Sequence, residues 1–137
     1  PLFRSDHLPY MHFLGFQPNT CDFFATSDLG LLPSFFSGES QPLTLIECLL
    51  AGTPYVASDT GEIATMLQSE EGLAGSLIPL RDNYCQPSDI AAALLPYLAD
   101  DNLIKEHANR THLAAKKFSW ETLLDRYEHL YQQAISR

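Results

Sequence analysis

The stretch Ser37-Gly38-Glu39-Ser40-Gln41-Pro42-Leu43-Thr44-Leu45-Ile46-Glu47-Cys48-Leu49-Leu50-Ala51-Gly52-Thr53-Pro54-Tyr55-Val56-Ala57-Ser58 decides the fold. Pro42 stands where the first turn of a helix tolerates a residue without an N–H. The run Leu43 to Leu50 reads as a helix that closes at Gly52, a residue suited to the left-handed turn past a helix end. Tyr55-Val56-Ala57-Ser58 follows as a short apolar strand, set off by Thr53-Pro54. A loop, a short helix and a buried strand in this order form one step of an alternating α/β pattern.

The same alternation extends in both directions. Upstream, His12-Phe13-Leu14-Gly15-Phe16 reads as a strand ending at a glycine turn, and Asn19 as the cap of a short helix through Ala25. Asp28-Leu29-Gly30-Leu31-Leu32-Pro33 is a second strand, stopped by proline. Downstream, Ile63 to Leu67 reads as a short helix and Ser76-Leu77-Ile78-Pro79 as a further strand. Helix and strand alternating in this way predict a parallel sheet of the doubly wound type.

The C-terminal part reads as all helix. Ser88 or Asp89 opens one helix, which Pro96 is expected to kink or end. A second runs from about Asn102 to Lys117, capped by Asp100 or Asp101. A third starts after Ser119. Its Trp120, Leu123, Leu124, Tyr127, Leu130, Tyr131 and Ala134 recur at i, i+3, i+4 and i+7, so this stripe is expected to pack against the body as core.

Bulk properties narrow the function. The chain has 137 residues, one domain's length, and is 45% hydrophobic and 18% charged, a globular composition. With 17 acidic residues against 8 Lys and Arg, the formal net charge is −9. That balance argues against a nucleic-acid binder, which needs a basic stripe, and against an anionic membrane surface as main partner. It leaves nucleotides open, because helix N-termini and a few basic groups hold them. Cys21, Cys48 and Cys85 are far apart and show no metal or redox spacing, so reduced thiols and a cytoplasmic setting are expected. No apolar run is long enough to span a bilayer. The opening residues lack both the apolar core of a signal peptide and an initiator Met, so this end reads as cut or processed.

Among candidate functional groups, two carboxylates stand out. Glu39 lies in the loop just before a helix and beyond the C-terminal end of a strand, where open α/β sheets bind ligands. Glu47 lies within the apolar run Leu43 to Ala51, and a carboxylate on such a face is costly without a partner. No Lys or Arg lies between Arg4 and Arg81, so the neighbouring sequence offers Glu47 no counter-ion. A ribose diol would fit, since two hydroxyls can donate to one carboxylate. The free N–H groups around Pro42 to Leu45 would seat a diphosphate. A solvated or side-chain-paired Glu47 is the plainer alternative, and spacing alone does not separate the two.

Further motifs strengthen the ligand reading. Leu31-Leu32-Pro33-Ser34, then Glu39, seven residues, Glu47, then Ala51-Gly52-Thr53-Pro54-Tyr55-Val56-Ala57-Ser58-Asp59 and Gly61 stand in one order. His12-Phe13-Leu14-Gly15 upstream and Phe118-Ser119-Trp120 with Tyr127 and Tyr131 downstream extend it. This pattern resembles the glycosyltransferase family 4 group over nearly all of residues 10–131. The resemblance implies an α/β fold: a Rossmann-like parallel sheet with flanking helices, the C-terminal half-domain of the GT-B architecture, and a helical C-terminal tail. It implies one partial domain over 1–137, with a nucleotide-sugar-binding region at about 10–100 and helices at about 101–137. The family transfers a sugar from a nucleotide donor with retention of configuration. Glu39 would contact the donor sugar as the active-site Glu, and Glu47 would bind the ribose. The backbone of Ser40, Gln41, Pro42, Leu43 and Thr44 would face the diphosphate, and Gly15 and Phe16 would lie near the base. No cofactor or metal is expected, because the helix end and basic side chains offset the diphosphate charge. The partners implied are a nucleoside-diphosphate sugar and, through an N-terminal domain, a glycan or lipid-linked acceptor. A peripheral place at the inner membrane face is open to the full-length enzyme.

The chain departs from the family pattern in places. Ser40-Gln41-Pro42 replaces the usual Gly-Phe-Gly, which removes one N–H from the phosphate seat. Glu62 stands where a second Gly often follows, and is expected to face solvent. Two further strands with a diphosphate-binding Arg and Lys would precede Phe13 in the family. Without them, an exposed sheet edge is expected near Leu29 to Leu32, with self-association through it; a strictly monomeric species in light scattering at high concentration would count against this. The isolated chain is then expected to be catalytically silent. A non-hydrolysing sugar-nucleotide epimerase and a non-catalytic GT-B-derived binding domain are the rivals. Metal and hydrolase readings are weaker. His107 and His112 do not share a helix face in the HExxH manner, and no Gly-x-Ser-x-Gly elbow, GxGxxG or GxxxxGK[ST] loop occurs.

Overall fold

A computed structural model of the chain describes residues 10–136. The elements are α1 (Thr20–Ala25), β1 (Gly30–Leu32), α2 (Leu43–Leu50), β2 (Tyr55–Ser58) and α3 (Ile63–Leu67), then short β3 (Gln68–Ser69), β4 (Gly72–Leu73), β5 (Gly75–Ile78), β6 (Leu80–Arg81) and β7 (Tyr84–Cys85). The helices α4 (Pro87–Ala99), α5 (Asp101–Ala115) and α6 (Trp120–Ile135) follow, with a 3-10 turn at Lys116–Phe118 before α6. The main sheet is parallel with the order β1-β2-β5. Two antiparallel pairs, β3-β4 and β6-β7, stand apart from it. This is a Rossmann-like sheet with flanking helices and a helical tail.

The central strand β2 is buried on both faces, as its unbroken apolar run demands. On one side Leu45, Cys48, Leu49, Tyr55, Ala57, Ile63, Leu67 and Ala114 form the main core. On the other, Val56, Ile78 and Tyr97 join α4 to the sheet. Each fully buried Leu contributes about 1.5–3 kcal/mol of transfer free energy. Gly30 is required by this packing, because a Cβ there would lie 2.3 Å from the Tyr55 ring and 2.7 Å from the Cys48 sulfur. Burial pushes the Cys48 thiol up to about 12, so it is a protonated core group that donates to the Thr53 carbonyl at 3.3 Å. The cysteines are free thiols.

Several sequence expectations hold. The α2, β2 and α3 bounds match, β1 and β5 fall within a residue or two of the expected strands, and Asp100 caps α5 by accepting from the Asn102 N–H at 2.9 Å. The outer edge of β1 is unpaired among the described residues, as expected.

Others are corrected. Residues 12–16 form no strand; they are irregular and exposed, with Gly15 at a positive φ of 65. A strand is made by pairing, and no described strand lies beside this segment. Asn19 occupies the N-cap position of α1 without a side-chain cap bond. Pro42 is the N-cap of α2 rather than its first helical residue. The α4 helix begins at Pro87, one residue before Ser88, and Pro96 neither ends nor stops it short of Ala99. The buried Tyr97 just beyond Pro96 anchors this last turn, so packing outweighs the lost hydrogen bond. The α5 helix ends at Ala115, and the expected continuation to Lys117 is a 3-10 turn. The α6 stripe is not core: no residue of α6 is buried, and Trp120 is 67% exposed.

Candidate functional site

The C-terminal ends of β1, β2 and β5 form one crest, over which three connections pass. Hydrogen bonds stitch the strand ends together. Ser58 Oγ donates to the Leu32 carbonyl at 3.2 Å, Cys85 Sγ donates to Ser58 Oγ at 3.2 Å, and the Asp59 N–H donates to the Ile78 carbonyl at 2.9 Å. The β6-β7 hairpin therefore folds back onto the crest. Its two-residue turn, Asp82-Asn83, has φ of 52 and 65, the positive values that a tight hairpin turn needs. Arg81 and Asp89 fix the hairpin to the start of α4 through a two-pronged contact of 2.7 and 3.0 Å. That guanidinium holds the Asp89 carboxyl below its ordinary range, chiefly by hydrogen bonding.

Glu39 sits half-buried on this crest. Its N–H donates to the Phe36 carbonyl at 3.1 Å, closing a turn, and its carbonyl accepts from the Glu62 N–H at 3.1 Å. This second bond ties the loop after β1 to the loop after β2. Gly61 makes that approach possible: it has φ +52, and a Cβ there would stand 1.8 Å from the Glu39 carbonyl oxygen. The glycine of the sequence pattern thus has a definite steric task, which is to let Glu39 sit where it does. Glu62 is exposed, as expected.

Glu47 lies half-buried along α2 and accepts a hydrogen bond from Thr20 Oγ1 at 2.6 Å. Its partner thus comes from α1 and is a neutral hydroxyl, not a cation. One hydroxyl leaves the carboxylate with free acceptor capacity. Thr44 Oγ1 and Tyr55 Oη are 3.0 Å apart. Burial foremost lifts the Tyr55 phenol to about 12, and the Cys48, Glu39 and Glu47 groups act in the same direction. Tyr55 is therefore a fixed hydroxyl lying within the field of both carboxylates. At the start of α2, Leu45 and Ile46 donate back to the Pro42 carbonyl at 3.1 and 3.4 Å. The N–H groups of Leu43 and Thr44 have no acceptor among the described residues. They are the two donors this helix start presents, beside exposed Ser40 and Gln41.

Glu39 and the Ser40–Thr44 stretch are contiguous at the start of α2, Glu47 lies further along the same helix, and Tyr55, bonded to Thr44, feels the charge of both carboxylates. It does not join Gly15 and Phe16 to them by any hydrogen bond, and Phe16 is 92% exposed. Thr20 and Tyr55 were not singled out from sequence. No helix of the described residues is long and apolar enough to cross a membrane.

Comparison with known proteins gives this geometry a context. A family model described as "Glycosyl transferases group 1" matches residues 2–100. The "D-inositol 3-phosphate glycosyltransferase" of Geodermatophilus obscurus is 35% identical over 102 residues, 74% of this chain and 20% of that protein. The "Phosphatidyl-myo-inositol mannosyltransferase" of Mycobacterium tuberculosis is 27% identical over 95 residues, 69% of this chain and 25% of that one. An "Exopolysaccharide phosphotransferase" of Streptomyces coelicolor is 29% identical over 126 residues, 90% of this chain but 12% of its own length. The chain thus spans a quarter or less of each of these relatives. Among solved structures, sucrose-phosphate synthase from Thermosynechococcus elongatus superposes with a TM-score of 0.66 at 24% identity, over 83% of this chain and 27% of that one. That likeness speaks for the fold, the Rossmann-like half-domain of the GT-B architecture. With more than half of its residues inside the family match, the chain belongs to the group 1 glycosyltransferases.

Proposed function

We propose that this chain is the donor-binding portion of a retaining, family 4-type hexosyltransferase that moves a sugar from a nucleoside diphosphate to a glycan or glycolipid acceptor. The observation that carries the reading is the crowding of complementary groups at one helix start. Two free N–H donors, at Leu43 and Thr44, adjoin a crest that holds Glu39, while Glu47 runs along the same helix with acceptor capacity to spare. The N–H pair and the helix dipole suit a diphosphate. Glu47 suits the ribose diol, with Thr20 keeping its carboxylate oriented. Glu39 then reaches the sugar beyond the phosphates. Pro42 contributes no N–H, so the seat has fewer donors than a glycine loop would supply.

The donor region is placed at about 10–100 and the helical part at about 101–137, with the acceptor held by a further domain. Alone, the chain binds donor but does not turn it over. The open β1 edge is a route for self-association. No metal is needed, since donors and dipole meet the diphosphate charge directly.

Calorimetric titration with UDP, GDP and their common sugars tests the reading. One nucleotide is expected to bind, unchanged by EDTA. Glu47→Ala is expected to weaken it at least about tenfold, the loss of two charge-assisted hydrogen bonds. A folded chain and a full-length enzyme that both ignore every nucleotide would sink the proposal.

A further inference from the structure

Two aromatic rings stand on the crest without a role so far. Phe35, in the loop after β1, and Tyr84, on the β6-β7 hairpin, meet with ring centroids 5.2 Å apart and planes inclined at 37°. They come from opposite edges of the sheet, yet they remain 61% and 57% exposed. Exposed rings held in fixed mutual orientation are not explained by the core, which lies below them.

Their mounting is rigid on both sides. The hairpin is held by the Cys85–Ser58–Leu32 hydrogen-bond chain and by the Arg81–Asp89 pair. Phe35 lies between Ser34, whose Oγ accepts from the Phe36 N–H at 3.2 Å, and the turn that the Glu39 N–H closes onto the Phe36 carbonyl at 3.1 Å. Phe35 and Glu39 thus share one loop, and Tyr84 reaches it through the ring contact, so the pair adjoins the site described above.

We propose that Phe35 and Tyr84 form the stacking wall of a pyranose subsite beside Glu39. The proposal rests on the donor-binding reading and adds the residues that select the sugar. A pyranose has one face of C–H groups, which lie well against the negative faces of aromatic rings. Its hydroxyls need acceptors, and the crest supplies carboxylates: Glu39 half-buried, with Asp59, Glu62 and Asp82 exposed. Arg81, on the same hairpin, is already engaged by Asp89. Carboxylates on the loops that carry the rings, Glu39 beside Phe35 and Asp82 beside Tyr84, favour a neutral polyhydroxylated ligand over another phosphate. With centroids 5.2 Å apart the two rings touch, so no ring inserts between them, and together they present an angled outer surface for a puckered ring. The pyranose comes either from the donor or from the acceptor, and both present the same chemistry.

The test is saturation-transfer NMR on the full chain, with calorimetry alongside. The probes are UDP, GDP, UDP-glucose, GDP-mannose, methyl α-glucopyranoside and methyl α-mannopyranoside. The variants are Phe35→Ala and Tyr84→Ala, with Phe35→Tyr and Tyr84→Phe as ring-keeping controls. Saturation of sugar ring protons is expected in the wild type and in the controls, and lost in the alanine variants. The affinity for sugar-bearing ligands should fall roughly three- to tenfold in the alanine variants, while that for the bare nucleoside diphosphate stays unchanged. Ring-dependent saturation confined to nucleotide sugars assigns the subsite to the donor, and ring-dependent saturation of methyl glycosides assigns it to the acceptor. Sugar protons that receive no saturation, or receive it equally in the alanine variants, overturn the subsite whether or not the nucleotide binds. An equal loss for bare and sugar-bearing nucleotides overturns it too. Methyl glycosides that bind while every nucleotide fails would uphold the subsite and overturn the donor reading.

Discussion

The helices α2 and α6 carry the same signal in sequence and meet opposite fates. Both have apolar residues recurring at helical spacing. In α2, Leu45, Cys48 and Leu49 are all buried, wedged between the sheet and α5. In α6 nothing is buried, although Trp120, Leu123, Leu124, Tyr127, Leu130 and Tyr131 line up as well as any core stripe. The difference lies in what surrounds each helix. The α2 helix is joined to β2 by the short connection 51–54, so the chain itself delivers a strand for it to pack on. The α6 helix leaves the body through a 3-10 turn and contacts little but that turn. Helical periodicity encodes which face is apolar; burial depends on a second surface that the same stretch does not encode.

The largest expected effect breaks or secures this comparison directly. Leu45→Ala empties a fully buried site and is expected to cost about 2–5 kcal/mol in denaturant unfolding. Leu124→Ser removes a comparable side chain from the α6 stripe and should stay within about 0.5 kcal/mol. A loss above about 1 kcal/mol at Leu124 would show that α6 packs in solution, and would erase the distinction.

A smaller effect sharpens the contrast through α5, the helix that does pack. His107 is buried where α4, α5 and β5 meet. Its Nδ1 is 2.7 Å from Tyr97 Oη, which is 2.8 Å from Ser76 Oγ. If Ser76 donates to Tyr97 and Tyr97 to Nδ1, all three groups are satisfied with the imidazole neutral. Burial foremost, with Arg110 one turn along, lowers the His107 pKa below its ordinary 6.5, while Glu106 opposes the shift. The sign follows from linkage. Between 6.5 and the lowered value the unfolded chain binds a proton that the fold does not. The stability due to a neutral His107 is thus complete above 6.5 and is lost as pH falls below it. Urea unfolding should show this slope in the wild type, and His107→Gln should flatten it. An unchanged slope in the variant would assign it elsewhere.

What the sequence made legible follows the same division. The Pro42-to-Ser58 stretch was readable because its punctuation and its periodicity are both local. The place of Glu39 in the loop before α2 and of Glu47 within α2 is legible for the same reason. Thr20 and Tyr55 were missed as their neighbours. Thr20 is 27 residues from Glu47, and only the fold closes that distance. Residues 12–16 look like a strand because they are apolar, but a strand also needs a partner. Pro96 signals a helix end, yet Tyr97 anchored against Ser76 carries α4 past it. The β3-β4 and β6-β7 pairs have two residues to a strand, too few for any alternation to show. In β6-β7 the usable signal was Asp82-Asn83, residues that tolerate positive φ.

The smallest expected effect compares two helix caps of one kind. Asp100 accepts from the Asn102 N–H at 2.9 Å, and Ser119 Oγ accepts from the Thr122 N–H at 3.1 Å. Each replacement by Ala removes about 1 kcal/mol of local helix stability. The α5 helix buries His107, Thr111, Ala114 and Ala115, so fraying at its start is coupled to the core. Asp100→Ala should therefore lower the melting temperature by several degrees, as ΔΔG of about 1 kcal/mol does in a domain of this size. Ser119→Ala loosens a helix that buries nothing, so the global melt should stay in place while far-UV circular dichroism loses helix signal. Equal shifts in melting temperature would mean that α6 unfolds with the body as one unit. A displaced melt for Asp100→Ala alone would place the boundary of the cooperative core between α5 and α6.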